Sequence, residues 1–119
     1  IISVAHHSAG AIEGVKKGGF SPPSEQRPLN YVELQGLVAD AREELAKLTA
    51  AEVNALEGGD MTFQIRDFKV PFTAENFLMS FSLPNFYFHA TTAYDILRSK
   101  GVPLGKRDFM GQLRVKAQA

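Results

Sequence analysis

From its first residue the chain sets apolar side chains at helical spacing. At 100° per residue Ile1, Val4, Ala5, Ser8, Ala11, Ile12 and Val15 fall on one continuous stripe. Such a stripe is stable only when another element covers it, so the segment 1–17 demands a layered helical fold. Gly18 and Gly19 end the helix in the usual C-terminal manner, and "FSPPSEQRP" cannot be helical through its prolines. The pattern is already under way at Ile1, with no methionine, cap or polar lead-in. The expectation is a chain that lacks the beginning of its domain.

Asn30 with Glu33 three residues on is a capping-box variant that opens a second helix to about Leu48. Its apolar positions are Leu34, Leu37, Val38, Ala41, Leu45 and Leu48. Thr49 and Glu52 repeat the cap, predicting a short helix over 50–57. Met61, Phe63 and Ile65 then alternate with polar residues, and Phe68, Val70 and Phe72 do so again after a turn near Arg66 and Asp67. That predicts a small β-hairpin, or an extended arm lying on the helices, which must pack on something because two strands alone are marginal in water. Thr73 caps a third helix that buries Phe77, Leu78 and Phe81. Pro84 predicts a kink or a fresh start, after which the helix runs from Asn85 to Lys100 and stops at Gly101 and Pro103. Three helices with broad apolar faces suit an all-α bundle that a fourth helix would close better.

Length bounds the chain to one domain over 1–119. Thirteen acidic and thirteen basic side chains cancel, so no long-range field favours nucleic acid or an anionic membrane. The basic cluster Lys106, Arg107, Arg114 and Lys116 reads as a solvated end. With no cysteine, disulfides, thiol nucleophiles and thiolate metal sites are excluded, which fits a cytoplasmic setting. No apolar run approaches the ~20 residues that cross a bilayer.

The chemistry rests on few residues. On the projection His7 flanks the apolar stripe and His6 points toward solvent. Asn85 and His89 lie one turn apart on one face, next to the stripe Phe86, Ala90, Ala93, Tyr94 and Leu97. His89 can be a ligand or a core histidine, with Asn85, Thr92 or a tyrosine as hydrogen-bond partner, and spacing favours the core role. No HxxxH, HExxH or ExxH pattern occurs, which argues against a tight transition-metal site.

The stretch "LPNFYFHATTAYDILRSKGVPLGKRDFMG" closely resembles the C-terminal signature of the family called domain of unknown function nineteen-ninety-three. The likeness is specific at Leu83 to His89, Thr92 to Tyr94, Leu97-Arg98, Gly101 to Lys106, Asp108 and Gly111, and extends more weakly back to "SVAHHSAGA". That family is grouped with the DinB/YfiT-like candidate metalloenzymes. The resemblance implies an up-down-down-up four-helix bundle whose first helix is absent here, leaving an apolar groove that either a longer natural chain fills or a second subunit covers. It implies further that His7 holds the second-helix ligand position and His89 the second of the final pair, with Asn85 where the first would stand. The triad is then one ligand short, so zinc, nickel or iron would bind weakly.

Three functions follow as expectations. The first is a small-molecule binder with His7, Asn85, His89 and Thr92 around a polar pocket. The second is a metal-dependent enzyme of the thiol-transferase or isomerase type that uses His7 and His89. The third is a structural bundle whose chief interaction is homodimerisation.

Overall fold

The computed structural model describes residues 1–24 and 27–116. The expected first helix is two: α1 (Ile2–His6) and α2 (Ala9–Lys17). The apolar stripe runs unbroken across the junction, but the backbone does not. Ser8 sits at φ −115°, ψ −95°, and its Oγ lies 2.8 Å from the Val4 carbonyl and 3.0 Å from that of Ala5. A hydroxyl that offers itself to the preceding turn competes with the helical ladder, which is why serine inside a helix marks bends.

Gly18 takes φ 72°, the left-handed end expected of it, and Gly19 passes directly into β1 (Gly19–Phe20). α3 (Tyr31–Ala46) opens on the expected capping box, with the Glu33 amide 3.0 Å from Asn30 Oδ1 and the Asn30 amide 2.8 Å from Glu33 Oε2. α4 (Ala50–Asn54) repeats the device through Thr49 and Glu52.

β2 (Asp60–Ile65) and β3 (Phe68–Thr73) form the predicted hairpin, with Met61 facing Phe72 and Phe63 facing Val70. The turn sits where expected, and Arg66 adopts φ 53°. A third strand joins them: β1 pairs parallel to β2, Phe20 beside Phe63. The sheet order is β1-β2-β3.

Thr73 caps α5 (Ala74–Asn76), and its hydroxyl accepts from the Asn76 amide. A π-helical segment, Phe77–Ser82, follows and leads into α6 (Leu83–Ser99). Pro84 falls in the first turn of α6, where its missing N–H is harmless, so it marks a fresh start. Past Gly101, α7 (Lys106–Met110) folds back; the Tyr94 hydroxyl donates to the Gly105 carbonyl at 2.5 Å and its ring meets Phe109 edge-on. Among the described residues no helix is long and apolar enough to cross a membrane.

The main core lies where α2, the sheet and the π segment meet. Ala11, Val15, Phe20, Met61, Ala74 and Phe77 are buried there, ringed by Leu56, Phe63, Phe72, Leu78 and Phe81. A second cluster of Ala5, Ala9, Ala41 and Leu37 lets α3 approach α1 and α2 closely. α1 touches α3 on one side and α6 on the other.

Candidate functional site

The break between α1 and α2 aims two histidines in different directions. Both are half-buried, which a straight-helix projection does not give for His6. His6 Nε2 donates to the Ser21 carbonyl at 2.7 Å, and its ring stacks on Phe20 with centroids 4.3 Å apart. The loop after β1 returns over α1 and takes His6 out of solvent, so this histidine ties loop to helix.

His7 turns the other way, onto α6. Its ring lies 6.0 Å from that of His89, with planes only 14° apart, and 5.8 Å from Phe81. All three histidines of the chain thus form one row, since His6 and His7 meet at 5.7 Å. Ser82, 1% exposed at the end of the π segment, donates its hydroxyl to the His7 carbonyl at 3.0 Å. The same oxygen lies 3.5 Å from His7 Nδ1. With the serine hydrogen committed to the carbonyl, this oxygen can only accept, so the contact favours the Nδ1–H tautomer. The Nε2 lone pair is then free to meet another group.

The remaining expected residues lie elsewhere on α6. Asn85 Nδ2 donates to the Phe81 carbonyl at 2.7 Å, which leaves its Oδ1 as the available atom. Thr92 is exposed and its hydroxyl donates to the Phe88 carbonyl at 2.7 Å. His7 and His89 are therefore brought together, Asn85 lies one turn from them, and Thr92 is spent on its own helix. Sequence reasoning misses Ser82, which in sequence is one more serine in an aromatic-rich run.

Beside His7 opens a cleft of about 340 Å³. His7, Ser8 and Ser82 border it, but its surface is almost wholly apolar, with Ile12, Leu45, Met79 and Phe86 among its walls; of the four residues expected around a polar pocket only His7 lines it, and Asn85, His89 and Thr92 do not. A second hollow of about 260 Å³, bounded by Val4, Val38, Ala41 and Arg42, shares Ser8, Leu45 and Phe86 with it. Together they make a trough with α1–α2 as floor and α3 and α6 as walls.

Burial, followed by the neighbouring His6 and His89, lowers the His7 pKa from 6.5 to about 4. The ring is neutral at pH 7 and keeps a lone pair. The linkage has a definite sign. The unfolded chain takes up this proton first, so the contribution is complete above about pH 6.5 and is lost as pH falls toward 4. Since the ring is only partly buried, the expected loss is about 1–2 kcal/mol. Urea midpoints at pH 7 and 4.5 should show it as a difference between the native chain and His7→Gln, in which that part of the slope disappears.

A metal asks for three protein donors in most catalytic sites. His7 and His89 bring two imidazoles together, and no three His, Cys, Asp or Glu side chains among the described residues form a group that could hold an ion. The donor set does not fit a tightly held transition metal.

The sequence profile of the family described as Domain of unknown function (DUF1993) matches residues 1–110. Among solved structures, the chain is similar to a DinB family member protein from Shewanella denitrificans, with a TM-score of 0.77 and 25% sequence identity. That similarity covers 97% of this chain but 65% of the other, so the chain spans about two-thirds of the length of the protein it matches. No curated protein matches the chain.

Proposed function

We propose, on the premise that the chain belongs to the DUF1993 family, that it binds a small, largely apolar molecule carrying one polar group in the cleft beside His7. The observation behind this reading is a neutral imidazole at the border of an almost wholly apolar hollow of about 340 Å³. Ligand sites commonly take this form, apolar walls with few oriented polar groups. His7 Nε2 would accept a hydrogen bond from a hydroxyl, an amide N–H or a protonated acid. Ser82 positions the ring, and His89 backs it from α6. In the same reading α1–α2, α3 and α6 hold three positions of an up-down-down-up four-helix bundle, and the trough is its open fourth.

The metal-dependent alternative, a thiol transferase or isomerase using His7 and His89, ranks below this because of its missing ligand. An ion held there would lower the pKa of a bound thiol or water.

Thermal shift against a panel of small aliphatic and aromatic alcohols, amides and carboxylic acids tests the binding reading. At least one class is expected to raise the native Tm by several degrees, and the same compound to leave His7→Ala unmoved. A panel without effect, or an equal effect on His7→Ala, would reject the cleft. Metal content after chelator-free purification separates the alternatives. One ion per chain, lost in both His7→Ala and His89→Ala, would establish the metal reading instead.

A further inference from the structure

Overall neutrality conceals a division of charge along the chain. Residues 98–116 carry six basic side chains, Arg98, Lys100, Lys106, Arg107, Arg114 and Lys116, against the single acid Asp108. Residues 1–97 carry seven basic side chains against twelve acidic. One stretch is therefore strongly positive, and what precedes it is negative by the same amount. The ion pairs among the described residues, Lys17 with Glu13, Arg27 with Glu33 and Lys47 with Glu43, all lie in the negative part. None of the six cations is neutralised by one. Asp108 is already engaged, since its Oδ2 accepts the Gly105 amide at 2.7 Å.

Apolar side chains stand exposed between these cations. In "KRDFMGQLRVK", residues 106–116, Phe109 is 42% exposed, Met110 49%, Leu113 59% and Val115 79%. The bond from the Tyr94 hydroxyl to the Gly105 carbonyl and the edge-on contact of Tyr94 with Phe109 hold α7 against α6, one turn before Arg98. The cations of both helices thus gather at one corner. Charges at this density do not lie beneath a packed helix, and residues 111–116 fall beyond the span 1–110 that the family profile matches. Their exposure is independent of whatever closes the trough.

We propose that residues 98–116 form a peripheral docking surface for an anionic lipid bilayer. Basic side chains are drawn to the negative headgroups while apolar neighbours enter the boundary with the acyl chains, and stable binding takes both signals together. A nucleic acid offers the same negative charge, but its single strands are held by stacking on aromatic rings. Phe109 is the one aromatic residue of this stretch; Met110, Leu113 and Val115 have no flat face to offer a base and suit hydrocarbon. The negative remainder of the chain is repelled from the same surface, so docking has one orientation, with α7 and the end of α6 foremost. None of these residues lines the cleft beside His7, and the proposal does not depend on a ligand there.

Co-sedimentation of the 119-residue chain with vesicles tests this, using phosphatidylcholine alone and phosphatidylcholine with about one-quarter phosphatidylglycerol. Binding is expected only to the mixed vesicles at low salt, with release at about 1 M salt, where charges are screened beyond ~3 Å. Each cation at the surface contributes about fivefold to partition, so Arg114→Gln with Lys116→Gln should weaken it about 25-fold. Leu113→Gln, with the charge intact, should weaken it several-fold. Lys16→Gln with Lys17→Gln removes the same charge from the exposed end of α2 and should bind like the native chain. All five side chains are exposed, so the circular dichroism spectrum should not move. No binding to mixed vesicles at low salt overturns the proposal, as does equal binding to phosphatidylcholine alone. An equal loss in the two double variants overturns it too, because net charge alone would then decide. So does a Leu113→Gln chain that binds undiminished. Tighter binding to a single-stranded oligonucleotide than to the mixed vesicles overturns it in favour of nucleic acid.

Discussion

Phe77→Ala is expected to lower folding stability by about 3–5 kcal/mol, measured as a drop in urea midpoint at constant m-value. Phe77 is 0% exposed, and among the described residues it is the one aromatic of the largest fully buried side chains. Its ring centroid lies 5.0 Å from Phe20, 5.4 Å from Phe81 and 5.8 Å from Phe72. It thus joins β1, β3 and the π segment at one point, and no neighbour can collapse into its space without breaking another of these contacts. A domain of this size has about 5–15 kcal/mol in hand, so the thermal midpoint of the variant should fall well below that of the native chain. The matching change on the surface, Phe68→Ala, should cost a few tenths of a kcal/mol because that ring is 63% exposed. A Phe77→Ala loss below about 1 kcal/mol would mean that the aromatic cluster is not the core.

Most of the framework is legible in the sequence because its signals are local. Asn30 with Glu33 and Thr49 with Glu52 announce helix starts within four residues, and both capping boxes form. Alternation from Met61 to Phe72 is a property of neighbours, and the hairpin follows it. What escapes depends on distant partners. Two residues, Gly19 and Phe20, carry no periodicity of their own, and only the edge of β2 makes them a strand. The break at Ser8 lies inside an unbroken apolar stripe, and Ser82, more than seventy positions away, grips the carbonyl exposed there. Projecting residues 1–17 as one straight helix therefore places His7 well and His6 badly, since the returning loop covers His6. The approach of His7 to His89 is foreseeable from their faces and from the resemblance; the serine that orients His7 is not.

Gly14 carries the other large expected effect, and its sign is diagnostic. In an exposed helix, glycine to alanine stabilises by about 1 kcal/mol because the backbone loses less entropy on folding. Gly14 is buried in α2, where it faces the strand that follows. A Cβ at this position would stand 2.9 Å from Phe20 Cδ2 and 3.1 Å from the Gly19 carbonyl oxygen. The ring could swing away only by leaving Phe77 and Phe63, and the oxygen belongs to β1, whose register with β2 fixes it. Overpacking therefore wins over propensity. Gly14→Ala should be destabilising by about 1–2 kcal/mol, and Gly14→Val by about 3 kcal/mol, its branched Cβ adding a second clash. Thermal and urea denaturation of the pair decide the matter. If Gly14→Ala raises the midpoint, α2 does not pack against Phe20 at this distance. The loop that carries Ser21 to His6 would then lose its anchor, and with it the geometry that separates His6 from His7.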